Sequence, residues 1–227
     1  MDGNHLMYSK TAAKVMLTYL RDHFSHEEAQ RLMEEILRQY QSFLTDLPDL
    51  GGKKNPQAQS VYDCIALFAL YEVLPQKPVL GIFEELVNQI FVPAYKRICI
   101  ANMNRHYMQK IAARIFSHLS AKGQAHLTDW PGNYRMEALP YDPEIGVRFR
   151  FTSCPIAEFA KKHGYTHLMP AMCNPDYPTL APIRAGLIRT QVCATDACCD
   201  YWIVGNNSPH LKEHPLYRDE MGFLRNK

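Results

Sequence analysis

CPIAEFAKKHGYTHLMPAMCNPDYPTLAPIRAGLIRTQVCATDACCDYWIV, residues 154–204, is the stretch that decides the fold. Pro155 follows Cys154 and suits the first position of a helix. Gly164, just past His163, is a natural helix stop. A shorter helix is expected from Pro175. Residues 187–194 and 199–204 then read as a hairpin. Side chains alternate along a strand, so Cys199, Tyr201 and Ile203 share one face and Asp200 and Trp202 the other. On the partner strand Arg189, Gln191 and Cys193 share a face, and a tight link through Asp196 would bring Cys193 near Cys199.

Working outward, residues 134–139 and 145–152 read as strands around a Pro/Asp-rich turn at 140–144. Val147, Phe149 and Phe151 fall on one face of the second strand, Arg148, Arg150 and Thr152 on the other. Further upstream the apolar spacing is helical. One helix covers residues 8–24. A second follows a capping box of Ser25 and Glu28 and runs to about Leu44. A third, apolar on most faces, covers residues 58–74. A fourth starts near Val79 and breaks near Val92, because the residue before a proline avoids helical backbone. A fifth runs through Tyr95 and Met103 to about Leu119. Its cations Lys96, Arg97, Arg105, Lys110 and Arg114 read as a solvated face rather than an anion site. Gly51-Gly52-Lys53-Lys54 lacks the strand, glycine spacing and Ser/Thr of a phosphate loop and reads as a turn.

Helices first and then ββααββ imply an α+β fold, an N-terminal helical body followed by an antiparallel sheet. The chain reads as a single domain over residues 1–227, with a helical part (1–122), an α+β part carrying the candidate site (123–204) and a polar, partly loose tail (205–227).

The 227 residues can bury a sizeable core without disulfide staples. A formal charge of +2 gives no strong pull toward nucleic acid or acidic membranes. No export signal or membrane span is visible, and seven cysteines is an odd number, so reduced thiols and a cytoplasmic location are expected. The expected partner is a small-molecule substrate, with no nucleic acid and no membrane; a homo-oligomer is left open.

Cys154 at a helix N-cap would have its thiolate favoured by the helix dipole. Cys173 before Asn174-Pro175 reads as a similar place, with Asp176 and Tyr177 in the first turn. Each cysteine alone reads equally well as a small buried hydrophobe. No cofactor is expected. Zinc held by Cys154, Cys173, Cys199 and Asp176 is the alternative, although no CxxC pair supports it. His163 and His167 straddle Gly164 and read as surface or supporting residues.

The chain resembles the L-2-amino-thiazoline-4-carboxylic acid hydrolase family over about residues 10–204. The marks are Leu47-Pro48 with Gly51-Gly52-Lys53-Lys54-Asn55-Pro56, Cys154 with Phe159-Ala160-Lys161-Lys162-His163-Gly164, and Leu168-Met169-Pro170 with Cys173 and Asp176-Tyr177. Gly186-Leu187-Ile188-Arg189-Thr190 and Cys199-Asp200-Tyr201 complete them. The tail of the pattern is also similar to the vinyl-reductase-like small-molecule-binding fold. The resemblance implies a hydrolase that opens a small cyclic amidine by addition to the ring carbon. Cys173 would be nucleophile or thiolate base, with Cys154 beside it, and Asp176 the proton shuttle. Arg189 would hold a substrate carboxylate, and Tyr177, Cys199, Asp200 and His167 would line the substrate site. Two positions depart from the family pattern: Ser153 replaces an acidic residue, and Asp196-Ala197-Cys198 replaces glycines, which implies a changed pocket lip. The competing readings are a non-catalytic binding module, a biosynthetic lyase or cyclase on the same scaffold, and a zinc or redox protein.

Overall fold

A computed structural model describes residues 8–96 and 101–227, the side chains of 94–96 excepted. Five long helices come first: α1 Lys10–His23, α2 His26–Thr45, α3 Ala58–Val73, α4 Leu80–Lys96 and α5 His106–Ala125. Strands β1 Arg135–Ala138 and β2 Val147–Ser153 follow, then helices α6 Pro155–His163, α7 Met169–Cys173 and α8 Asp176–Leu180. Strands β3 Ala185–Ile188 and β4 Cys199–Gly205 complete a four-stranded antiparallel sheet in the order β1-β2-β4-β3. The α+β architecture is the one expected from the element order.

The centre of the helical body is α3, whose residues from Val61 to Leu70 are all buried. Its Asp63 accepts from the Ser9 amide at 2.6 Å and so ties down the start of α1. Aromatic stacking joins this body to α6: Phe68 lies parallel to Phe159 and Tyr165 at 5.8 and 5.2 Å. The Gly-Gly-Lys-Lys segment is structural. Gly51 has φ 82°, and a β-carbon there would come within 2.5 Å of Trp130. Buried Asn55 donates to the Leu50 carbonyl and to Asn133 Oδ1, which links this turn to the segment entering β1.

Several boundaries differ from expectation. Helix α4 continues through Pro93. A proline near a helix end removes a single hydrogen bond, and buried Phe83, Val87 and Ile90 hold the helix in place. Helix α5 starts later than expected, because Asn102 Oδ1 accepts from the Asn104 amide and makes a turn where the helix would have run. Residues 97–100 lie outside the described residues, so the expected basic face is seen only at Arg105, Lys110 and Arg114. The Ser25 hydroxyl accepts from the Glu28 amide at 3.2 Å, but the Glu28 carboxylate turns to Arg31 instead of closing the capping box.

The link between β3 and β4 is a loop over residues 189–198, not a tight turn. Two carboxylates hold it. Asp200 accepts from the amides of Thr190 and Gln191, and Asp196 accepts from the amide of Val192. The tail is ordered where looseness was expected. It forms α9 His210–Glu213 and a hairpin of β5 Leu216–Arg218 and β6 Leu224–Asn226. Phe223 is fully buried in the main hydrophobic cluster, and Arg225 pairs with Asp196 and Asp219. These polar residues bond inward to the site loop, which a reading by polarity alone does not reveal.

Phe223→Ala should therefore destabilise the protein by about 3–5 kcal/mol. The check is a lower urea midpoint with unchanged m-value, and an unmoved midpoint would mean that the tail is dispensable.

Candidate functional site

Between the sheet and helices α3, α5, α7 and α8 lies a cavity of about 460 Å³. The inward face of the sheet supplies Phe149 and Phe151 from β2 and Cys199, Tyr201 and Ile203 from β4. That is the face the alternation of β4 specified. Phe149 stacks on Tyr201 at 4.7 Å and on Phe116 of α5 at 4.3 Å. Helix α3 contributes Ser60 and Cys64, and the α7–α8 corner contributes Met172, Cys173 and Asp176. Five cysteines line the cavity: Cys64, Cys154, Cys173, Cys193 and Cys199. All are free thiols.

Asp176 is the one charged side chain lining the cavity among the described residues. Its Oδ2 atom accepts from Arg189 Nη1 at 2.8 Å and from the Tyr201 hydroxyl at 2.5 Å. No hydrogen bond is recorded for Oδ1 among the described residues. The carboxyl side chain keeps 37% accessibility and lines the cavity, which is partly open to solvent. Burial raises the Asp176 pKa, against the opposing pull of the Arg189 charge and the Tyr201 hydrogen bond.

Behind Asp176, Arg189 is completely buried. Its two terminal nitrogens also donate to the Cys173 carbonyl at 3.2 and 3.1 Å, and Nη2 donates to the Leu224 carbonyl at 3.4 Å. The guanidinium lies over the Tyr177 ring, with 5.1 Å to its centroid. The tail closes this arrangement. Asn226 Oδ1 accepts from the Arg189 amide and from the Tyr177 hydroxyl, both at 3.0 Å.

The eight expected site residues divide into two groups. Cys154, Cys173, Asp176 and Cys199 come together on the cavity wall. Arg189 does not reach the cavity. It is a positioning residue, enclosed and engaged by Asp176 and backbone carbonyls, so it is not placed to clasp a substrate carboxylate. Tyr177 faces the tail, its hydroxyl bonded to Leu224 and Asn226. Asp200 lies on the opposite strand face, capping the 189–198 loop. His167 is exposed and sits beside the Tyr71 hydroxyl at 3.4 Å.

The thiols also differ from expectation. Cys154 is at the N-cap of α6, and the first-turn amides do favour its thiolate, but burial outweighs them and raises its pKa. Cys173 ends α7 and lies three residues before α8 begins, as expected, but burial pushes its thiol up to about 12. Burial likewise raises Cys199 well above the ordinary thiol range and Cys193 to about 11. These are neutral thiols at physiological pH. Among the described residues no group of three or more His, Cys, Asp or Glu side chains is disposed to hold a metal.

Sequence reasoning missed Tyr134, whose hydroxyl meets Ser60 Oγ at 3.3 Å on the cavity wall, and the aromatic pair Phe116 and Phe149. It had placed Tyr201 on the face of Cys199 without giving it a role. The tail residue Asn226 carried no signal at all.

Fold and site together define an α+β protein built around a thiol-lined cavity of small-molecule size. The profile of the L-2-amino-thiazoline-4-carboxylic acid hydrolase family matches residues 5–203, and the chain belongs to that family. Neither the search of curated proteins nor the search of solved structures found a match. Among the described residues no helix is long and apolar enough to cross a membrane.

Two outcomes follow from this geometry. Arg189→Met removes the counter-charge of Asp176 and leaves the Cys173 and Leu224 carbonyls without their donor, so it should lower stability, measured by chemical denaturation. Alkylation of the native protein at pH 8, mapped by mass spectrometry, should modify Cys198 before Cys64, Cys154, Cys173 or Cys199. Faster labelling of Cys173 than of Cys198 would contradict the neutral-thiol assignment.

Proposed function

We propose that the protein hydrolyses a small cyclic amidine of the 2-amino-thiazoline type, with Asp176 as the acid–base residue. The observation that carries this reading is the Asp176 carboxyl. It faces a largely apolar cavity, with one oxygen fixed by Arg189 and Tyr201 and the other without a hydrogen bond among the described residues. A carboxyl whose pKa is raised by burial is a stronger base when ionised and a ready proton donor afterwards.

The step balances as follows. Water bonds to the amidine carbon while Asp176 Oδ1 takes one of its protons. The other proton comes to rest on the ring nitrogen. The carbon–sulfur bond then breaks, and Asp176 returns its proton to the departing sulfur. The products of one ring and one water are a urea and a free thiol. Tyr201 holds the carboxyl in position, and Arg189 steadies its ionised form. The buried thiols act here as polarizable walls. With its pKa near 12, Cys173 does not supply a resident thiolate, so direct attack by water is preferred over a cysteine nucleophile.

The experiment is thiol release from 2-amino-2-thiazoline and from its 4-carboxylate. Asp176→Asn should lower kcat/KM at least about 100-fold, while Cys173→Ala stays within about tenfold of the parent. The Asp176 pKa lies above the usual carboxylate value of about 3.9, and the base must be ionised, so the rate should rise with pH along a limb above that value. Unchanged turnover in Asp176→Asn would remove the carboxyl from the chemistry. Equal loss in Cys173→Ala would restore the cysteine nucleophile.

A further inference from the structure

We infer that Tyr134 is a specificity-determining residue for the substrate's amino group: its phenol oxygen accepts a hydrogen bond from the exocyclic nitrogen of the amidine. The inference rests on the proposal that this cavity takes a 2-amino-thiazoline ring, and it adds the side chain that reads the amino substituent.

A count of protons carries it. The Ser60 hydroxyl has one proton, which goes to the Gln57 carbonyl at 2.9 Å. The 3.3 Å contact between Ser60 Oγ and the Tyr134 hydroxyl is then donated by Tyr134. With its proton directed at Ser60, the phenol has only its lone pairs to offer the cavity. Tyr134, Ser60 and Gln57 all line that cavity, and among the described residues no donor to the Tyr134 oxygen is recorded. Burial raises the Tyr134 pKa well above the ordinary phenol range, so the proton stays in place at physiological pH. The pair is also held from behind. Buried Asn55 accepts from the Gln57 amide at 3.0 Å and donates to Asn133 Oδ1 at 2.8 Å. One side chain thus fixes both the start of α3 and the residue before Tyr134.

Placement relative to Asp176 supports the same assignment. The Phe151 ring contacts both phenols, 5.1 Å from Tyr134 and 5.5 Å from Tyr201, and Tyr201 is bonded to Asp176. This aromatic row joins a neutral acceptor to a carboxyl along one cavity wall. An amidine carries donors on both of its nitrogens, so it matches two acceptors. A 2-oxo ring would set an oxygen against an oxygen at Tyr134, and a 2-methyl ring would leave the phenol oxygen unpaired. In the proposed ring opening the exocyclic nitrogen keeps both hydrogens from the ring to the urea. An acceptor there is satisfied in substrate and product alike, so Tyr134 governs which ring binds rather than how fast it opens.

Calorimetry with three rings that share one carboxylate tests the inference independently of turnover. The probes are 2-amino-2-thiazoline-4-carboxylate, 2-methyl-2-thiazoline-4-carboxylate and 2-oxo-thiazolidine-4-carboxylate. Tyr134→Phe keeps the aromatic ring and should weaken the amino ring about tenfold, the loss of one hydrogen bond to a charged group, while the methyl ring is unmoved. Ser60→Ala frees the phenol proton and should strengthen the oxo ring severalfold. In turnover Tyr134→Phe should raise KM and keep kcat within about threefold of the parent. Equal weakening of all three rings in Tyr134→Phe would reduce the residue to a structural one and overturn the inference. So would an amino ring that binds Tyr134→Phe as it binds the parent, or an oxo ring that gains nothing in Ser60→Ala. Binding of the amino ring through Tyr134 without any ring opening keeps the inference and defeats the hydrolase reading. Ring opening with Tyr134→Phe indistinguishable from the parent does the reverse.

Discussion

A guanidinium taken entirely out of water is the constraint on which the rest of this structure depends. Arg189 has no access to solvent. Left unpaired, such a charge would cost several kcal/mol. Four parts of the chain answer it at the two terminal nitrogens and the face, though not at Nε: Asp176 from α8, the Cys173 carbonyl at the end of α7, the Leu224 carbonyl in β6, and the Tyr177 ring beneath the guanidinium. Each contact fixes the position of something else. The α7–α8 corner must turn so that a carbonyl points at Arg189, and that turn puts Cys173 and Asp176 on the cavity wall. The tail must fold back, and Asn226 then locks the backbone of Arg189 itself. A buried ion pair is weak evidence for stability. Here its consequence is placement, since one carboxylate oxygen is held while the other is left facing the cavity.

The same burial decides the cysteine chemistry. A helix N-terminus favours a thiolate only while water or a nearby cation can share its charge. Cys154 has the amides of Ile156 and Ala157 within reach, yet burial prevails and its pKa rises. Burial raises the Cys173 thiol, the Arg189 charge lowers it by less, and the Asp176 charge adds to the rise. Local position on a helix and global position in the fold act in opposite directions, and the global term is larger. The thiols are thus compact, polarizable lining beside the Asp176 carboxyl.

Much of the fold was legible because its signals are local. Gly164 stops α6 with φ 78°, Pro155 starts it, and the alternation in β4 correctly sorted Cys199, Tyr201 and Ile203 from Asp200 and Trp202. Long-range demands were not legible. Arg189 on a strand-like run gives no sign that it will be sealed and paired. The tail reads as polar and loose because its polar groups are Arg225 and Asn226, whose partners are thirty or so positions away. Pro93 misled for the opposite reason: packing of α4 overrode a sound local rule. At the site, the sequence marked the residues that carry chemical identity, Cys154, Cys173, Asp176 and Cys199. The alternation of β4 had already turned Asp200 away from the face of Cys199, yet the resemblance still placed it in the substrate site, where the structure has it capping the 189–198 loop instead.

The division of labour between those two aspartates explains how a largely apolar cavity carries one carboxylate on its wall. Asp200 spends its carboxylate on backbone amides and the Thr190 hydroxyl, and so stiffens the 189–198 loop from the solvent side of the sheet. Asp196 does the same further along, with Arg225 of the tail as its partner. With the loop held from outside, Cys193 and Ala194 can close the cavity without a polar anchor of their own inside it. Among the described residues Asp176 is then left as the single charged feature of a largely apolar space. A charge in such surroundings interacts more strongly with a bound cation or a moving proton than it would in water. With Asp196 and Asp200 turned to the outside of the loop and Asp176 backed by Arg189, the described wall around that one carboxylate is largely apolar.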